Sequence, residues 1–431
     1  SQGFAAGYEK SIMWGGRTAS QAGISTSYIM GADALYFNPA GLVAAAPGSQ
    51  VSLNVSPVWS SFEGPYNNQN ETVESKTGLS TPLGLIYSNS INDKLAFGVG
   101  GFISGGSRVE YDAISFPGLD GSPQTKTDLQ IGEISAGVAY KITDTLKIGA
   151  AYRYVMAKAD FSFFNRAYSP GGAGLPPAGT FLGVANAKLT DLKDEASAFR
   201  LGAQWAMSEN THFGFTYRSS VDLDAKGRIG GQFIRNTTSG IPANSAIADA
   251  EATASTTFPQ AVTIGADHKF NDAWKGLVEV AWTQYSKVEA IPVTTSTTTL
   301  GGAVAINNPQ LTQDWKDQWN ARLGGEYAGF SWPIRFGYGF TSQVTNSDWA
   351  RPTFTPPGVS HTLTAGSGQA FALWGQALEF NGAAEYTFVS GDGTGRAAGD
   401  NTPAAGERPN IRAGEHKTSS VAAHLGLAYN F

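Results

Sequence analysis

From about residue 49 to the end of the chain, runs of alternating apolar and polar residues follow one another, and their connections alternate between short and long. The short ones are the polar pairs Asn92-Asp93, Thr143-Asp144, Ser208-Glu209 and Asn271-Asp272, together with Ala328-Gly329-Phe330 and Trp374-Gly375-Gln376. Each stands between two period-2 runs, as the turn of a β-hairpin does. The long ones, near 64–78, 112–127, 165–186, 229–250, 290–309, 346–360 and 390–415, are rich in Gly, Pro, Ser, Thr and Asn. Six short and seven long connections predict fourteen antiparallel strands, with all six turns on one rim. Loops sorted by length onto two rims are the organisation of an outer-membrane barrel. A soluble sandwich or propeller gives no reason for such sorting.

Composition agrees. No apolar run reaches the roughly 18 residues that a transmembrane helix needs. Yet charged residues are only 15% and aromatics 12% of the chain. A closed barrel reconciles these facts, because it pairs every backbone N–H and C=O between strands and shows lipid only alternate side chains. The last strand displays the pattern: Val421, Ala423, Leu425, Leu427, Tyr429 and Phe431 fall on one face, with small or polar residues on the other. Tyr87, Tyr140, Trp205, Trp274, Trp332, Trp374 and Tyr429 recur beside the short turns, as in an interfacial girdle.

Several chemistries are excluded. There is no cysteine, hence no disulfide framework, thiol nucleophile or Cys-based zinc site. The net charge of -6 argues against nucleic acid as a partner. The five histidines, His212, His268, His361, His416 and His424, show no metal-ligand spacing, and none has a serine beside it on its own strand face. Ser390-Gly391-Asp392-Gly393 lacks the alternating ligands of a calcium loop. No catalytic residue, metal or cofactor is predicted.

Residues 1–48 form a separate unit, rich in Gly, Ala and Ser and without strand alternation. Ser1-Gln2-Gly3-Phe4 reads as the N-terminus left after signal cleavage. The segment is either a free periplasmic arm or a plug in the lumen, and its small residues favour close packing inside. Up to about residue 46 it is expected within the barrel, with Asn38 hydrogen-bonded there. Residues 49–431 form the barrel.

Asn38-Pro39-Ala40-Gly41-Leu42, preceded by Gly31-Ala32-Asp33-Ala34, Gly15-Gly16 and Glu9, resembles the N-terminal hatch of the FadL family of outer-membrane transporters for long-chain fatty acids and other hydrophobic compounds. Gly3-Phe4 is similar to that family's N-terminal tip. Thr216-Tyr217-Arg218-Ser219 with Lys226-Gly227 resembles its seventh strand, and Ala281-Trp282-Thr283-Gln284-Tyr285-Ser286 its ninth. Arg335-Phe336-Gly337-Tyr338 and the closing Tyr429-Asn430-Phe431 fit as well. The resemblance implies a passive channel, a hatch inside the barrel, and lateral release at a kinked third strand, where Gly106 matches the kink. It also implies lipopolysaccharide and the barrel-assembly machinery as partners. The long loops match poorly.

Candidate ligand contacts follow. On the fifth strand Lys147 and Arg153 share the face opposite Leu146, Ile148, Ala150 and Tyr152, which turns Arg153 inward. Lys158 breaks that parity, by a bulge or by lying beyond the bilayer, and the resemblance places a pocket cation there. Lys287 is a second cation of the same kind, and Phe4 would touch an apolar tail. Leu175, Phe181, Leu182, Phe233 and Ile234, placed in the third and fourth loops, would gather hydrophobic molecules at the surface. Gly105-Gly106 either makes room for the plug or bends the strand and breaks its pairing. The leading function is passive transport of a hydrophobic small molecule or fatty acid. The alternative is a structural or adhesive barrel whose loops bind a surface partner.

Overall fold

A computed structural model describes residues 7–43, 47–65, 72–111, 114, 118–295, 298–300, 304–306, 310–350, 356–373, 375–394 and 413–431. Trp374 and Phe4 lie outside them. The strands close into one antiparallel barrel of fourteen. β1 comprises Gly48–Val55 and Val58–Pro65, and β2 Gly78–Ser80 and Leu83–Ser90. β3 is Leu95–Tyr111, β4 Thr125–Lys141, β5 Leu146–Tyr168 and β6 Phe181–Ala206. β7 is Thr211–Arg218 with Val221–Arg235, β8 Ser245–Phe258 with Ala261–Lys269, and β9 Trp274–Thr283 with Ala290–Thr295. β10 is Gln318–Tyr327, β11 Ile334–Thr341, β12 Val359–Leu373, β13 Gln376–Gly393 and β14 Gly414–Asn430. Closure comes from β14 pairing with both halves of β1.

All six short connections join an even strand to the next odd one, so they share a rim, as the loop sorting predicted. Their chemistry is local. Asn92 Oδ1 accepts from the N–H groups of Lys94 and Leu95 at 2.8 and 2.9 Å, and Asn271 Oδ1 repeats this with Ala273 and Trp274. Tyr140, Trp205, Trp274 and Trp332 stand exposed beside these turns. The opposite rim departs from expectation. The connections placed at 165–186 and 229–250 are largely strand: β5 and β6 stay paired to Tyr168 and Phe181, and β7 and β8 to Phe233 and Ser245. Part of 290–309 is also paired strand. Gly, Thr and Ser there read as loop residues, but cross-strand pairing satisfies their backbone well beyond the length that spans a bilayer.

The N-terminal segment carries two single-turn helices, α1 (Gly16–Ala19) and α2 (Ala34–Phe37), and a 3-10 turn at Pro39–Leu42. It lies within the ring of strands, and glycine is the reason it fits. Inward glycines on β2 to β8, β10 to β12 and β14 sit where a Cβ would run into it. Gly98 abuts Leu42, Gly137 Leu35, Gly149 Pro39, Gly202 Asn38, Gly337 Ala22 and Gly426 Gly16. The remaining strands hold it by polar contacts. Gln50 of β1 accepts from the Ala32 N–H at 2.7 Å, and Glu379 of β13 faces Arg17 at 3.4 Å. On β9, Glu279 Oε2 accepts from the N–H groups of Ser25 and Thr26 at 3.1 and 2.9 Å.

Candidate functional site

Barrel interiors are ordinarily polar. Here the inward rows change character with height. Near the middle of the wall they carry Glu133 and Ser135 of β4, Arg153 of β5 and Arg200 of β6. Glu133 Oε2 takes Arg153 Nε and Nη2 at 3.0 and 2.8 Å, while its Oε1 takes Arg200 Nη1 at 3.2 Å and the Ser135 hydroxyl at 2.7 Å. One pleat further toward the long-loop rim the same faces become apolar. Leu129 and Ile131, Val155, Ala157 and Ala159, Leu189 and Leu192, and Val221 and Leu223 form one buried cluster with Tyr8, Tyr285, Ile291 and Trp315.

Within this cluster lies a small apolar cavity, lined by Tyr8, Leu129, Ala157, Ala159, Phe161, Leu192, Leu223, Ala225, Ala254, Thr256, Phe258 and Ile291. Alanines on β5, β7 and β8 leave the space that larger side chains would fill. The polar groups of this lining are the hydroxyls of Tyr8 and Thr256, and they bond each other. A ligand gains here mainly by removing apolar surface from water, at about 25 cal/mol per Å².

Tyr8 connects this cavity to a break in the wall. Its ring meets Phe258 and Trp315 edge-on at 4.9 and 5.1 Å, its N–H donates to Tyr285 Oη at 3.1 Å, and its carbonyl accepts from the Gly106 N–H at 3.0 Å. Gly106 borders the break. The β2–β3 ladder runs from Ser90↔Ala96 to Gly84↔Phe102 and stops. Beyond it, Gly78–Ser80 pairs with β1, while β3 from Gly105 to Tyr111 pairs with β4. The next bond across is Lys76 N–H to Glu110 O at 3.0 Å. Leu79, Ser80, Pro82 and Leu83 face Ile103, Gly105, Gly106, Ser107 and Arg108 across the opening. Two local causes produce it. Pro82 has no N–H to offer a neighbour. A register shift between Ile103 and Gly105, with Gly106 at φ 146°, turns β3 aside. Both sequence readings of the glycine pair have counterparts here: a Cβ on Gly105 would press on the Tyr8 carbonyl, and Gly106 adopts a backbone that side chains disfavour.

The other predicted positions scatter. Arg153 is buried and inward but committed to Glu133. Lys158 keeps the parity of β5, which has no bulge between the two residues, and stands exposed on the outer face. It therefore cannot reach the cavity. Lys287 is exposed on the 3-10 turn Tyr285–Lys287, whose inward members are Tyr285 and then Val288. It is likewise no pocket cation. Leu175 is exposed in the connection 169–180. Phe181, Leu182, Phe233 and Ile234 are not loop residues: they begin β6 or end β7, and Leu182, Phe233 and Ile234 are buried. Ile234 packs with Phe62, Tyr111 and Phe164 inside the wall, with Phe181 against them, so these residues do not form a surface collecting patch. Phe4 lies outside the described residues.

The hatch motif is held tightly. Asn38 Nδ2 donates to Thr26 O at 2.7 Å and to Ala203 O of β6 at 3.1 Å, while its Oδ1 accepts from the Ala40 N–H at 3.2 Å. Pro39 opens the turn, where its missing N–H costs nothing. His424, which has no serine within one pleat on its own face, finds partners on neighbouring strands instead. Ser56 Oγ of β1 lies 2.9 Å from its Nδ1, and Glu385 Oε2 of β13 lies 2.9 Å from its Nε2. Glu385 also pairs with Lys10, so this buried group holds the N-terminal segment. The apolar cavity escaped the sequence reading. Its signal was available as the switch from polar to apolar inward positions along β4, β5 and β6.

Three comparisons bear on this arrangement. Residues 2–394 match the profile of a family described as outer membrane protein transport protein (OMPP1/FadL/TodX). Outer membrane protein P1 of Haemophilus influenzae is 23% identical over 220 residues, 47% of this chain and 46% of that protein. A second such sequence is 26% identical over 32% of this chain and 33% of its own length, so the matches span less than half of these curated relatives. Among solved structures, a Pseudomonas aeruginosa FadL homologue superposes with TM-score 0.71 at 16% identity, covering 100% of this chain and 99% of that one. The P. putida toluene transporter TodX gives 0.74 at 19% identity, covering 98% and 99%.

Proposed function

The chain belongs to the outer membrane protein transport protein family (OMPP1/FadL/TodX), and from that premise we propose that a neutral hydrophobic molecule settles in the cavity beside Tyr8 and leaves sideways between β2 and β3. It is an outer-membrane channel for hydrophobic compounds. Residues 1–48 serve as the hatch and 49–431 as the barrel. Lipopolysaccharide around the barrel and the assembly machinery during biogenesis are its proposed partners.

The observation that carries this reading is the adjacency of cavity and break: Leu129 lines both, and Tyr8 spans them. Sideways release into lipid spares an apolar ligand exposure to periplasmic water. Contacts of the N-terminal segment with every strand favour a sideways path over an axial one. The choice of a neutral ligand follows from the lining, which holds no Lys or Arg. Arg153, proposed from its parity, is held by Glu133. A long-chain fatty acid fits this reading in its protonated form, beside alkanes and alkylbenzenes. Binding of a long-chain acid and its methyl ester to the purified protein at neutral pH tests the point. Equal or tighter binding of the ester is expected. Tenfold preference for the acid would require a cation at the site and overturn the neutral reading.

A further inference from the structure

We propose that the inner mouth of the wall break is a hydrogen-bonding subsite, formed by the hydroxyls of Ser80 and Ser107, that favours ligands with a neutral hydroxyl or carboxylic-acid head over plain hydrocarbons. This rests on the lateral route proposed above and names the class of molecule that the route favours.

The two serines sit on opposite banks of the opening. Ser107 is 4% exposed, on the buried side of β3 between the exposed Arg108 and the glycine pair. Ser80 follows Leu79, which is exposed to the outside, so it takes the inward position of its short strand. Neither Oγ has a hydrogen-bond partner among the described residues. Buried hydroxyls in folded proteins are nearly always paired. Two unpaired ones facing a single opening are therefore matched to something that passes through it.

The neighbouring chemistry defines that partner. Leu79, Leu83, Ile103 and Leu129 make the rest of the mouth apolar, so a chain or ring follows the head. The backbone offers little competition, since Pro82 has no N–H and the Gly106 N–H is taken by Tyr8. Charges on the outer side are engaged with one another: Arg108 lies 3.6 Å and Lys126 3.5 Å from Asp128. An ionised carboxylate would lose hydration without gaining a free cation. A serine hydroxyl has one proton to donate and two lone pairs. Two of them can therefore both give to and accept from an alcohol or a protonated acid, whereas a hydrocarbon leaves both unpaired.

The test uses cells expressing the full chain and a matched pair, dodecan-1-ol and dodecane. The variants are S80A, S107A, the S80A/S107A double and, as a route control, G105V/G106V, each checked for heat-modifiable gel mobility. The alcohol-to-alkane ratio of initial uptake rates should fall roughly fivefold in the double serine variant, as loss of about one net hydrogen bond implies. Alkane uptake should hold steady, and each single variant should lie between. An unchanged ratio, or an equal fall for both probes, overturns the subsite. The route control separates the two ideas: if G105V/G106V leaves both rates intact, the lateral route itself fails, whereas a flat serine result with a blocking glycine variant removes the subsite alone.

Discussion

Asn38 and Asp33 show how single side chains fix the hatch. Asn38 uses both ends of its amide, so Asn38→Ala strands the carbonyls of Thr26 and Ala203, at a cost of about 1–3 kcal/mol. The expected outcome is faster amide exchange across residues 26–42 in a barrel that still folds; unchanged exchange would contradict it. Asp33 is half-buried beneath β1, and loss of hydration there raises its pKa to about 6 even though Ser52 and Asn54 donate to it at 2.5 and 2.9 Å. Because the folded value is the higher one, its stabilising contribution is complete below its ordinary 3.8 and is lost as pH rises through about 6. The hatch should therefore resist protease better at pH about 5 than about 7.5, and Asp33→Asn should flatten that difference. Legibility at this scale was uneven. The inward turn of Arg153 followed from alternation alone. For Lys158 the sequence left open a bulge or a place beyond the bilayer; β5 has no bulge there and the lysine points outward, so what failed was the pocket role taken from the resemblance. Above the bilayer, outward positions are free to be polar, and the strand simply continued.

Strands and turns were the most legible elements, because period-2 alternation and Asx-type turns are local properties. The far rim was less so. Stretches interrupted by glycine, such as 229–235, gain their strand character from a partner strand, which no local pattern announces. The N-terminal segment shows the same dependence. Glu9 pairs with Arg218 of β7 and Lys10 with Glu385 of β13, so two consecutive residues are tied to distant parts of the wall. Lys10→Met should leave Glu385 with His424 and the Thr387 hydroxyl but no lysine, a loss of about 3–5 kcal/mol for a broken buried pair. Single-channel recordings should then show added open events from a loosened segment. Conductance identical to the parent chain would mean that the pair does not restrain it.

For the whole molecule, the barrel was legible from loop sorting, and Gly105-Gly106 marked one bank of the wall break, while the facing bank at Pro82 was not legible. A wall break belongs to two strands at once: Pro82 on one and the Ile103–Gly105 register shift on the other mean nothing until they face each other. The polar-to-apolar switch of the lumen needs three strands aligned before it defines a cavity. The structure brings these features to one place, with Tyr8 between them. The most direct test of lateral release is uptake of a hydrophobic ligand by cells carrying G105V/G106V. Valine is disfavoured at the φ of 146° held by Gly106, and its side chain at Gly105 would meet Ile131 and the Tyr8 carbonyl. Uptake should collapse while the barrel assembles normally. Undiminished uptake through a correctly folded double variant would contradict the lateral route and point to a path past the hatch.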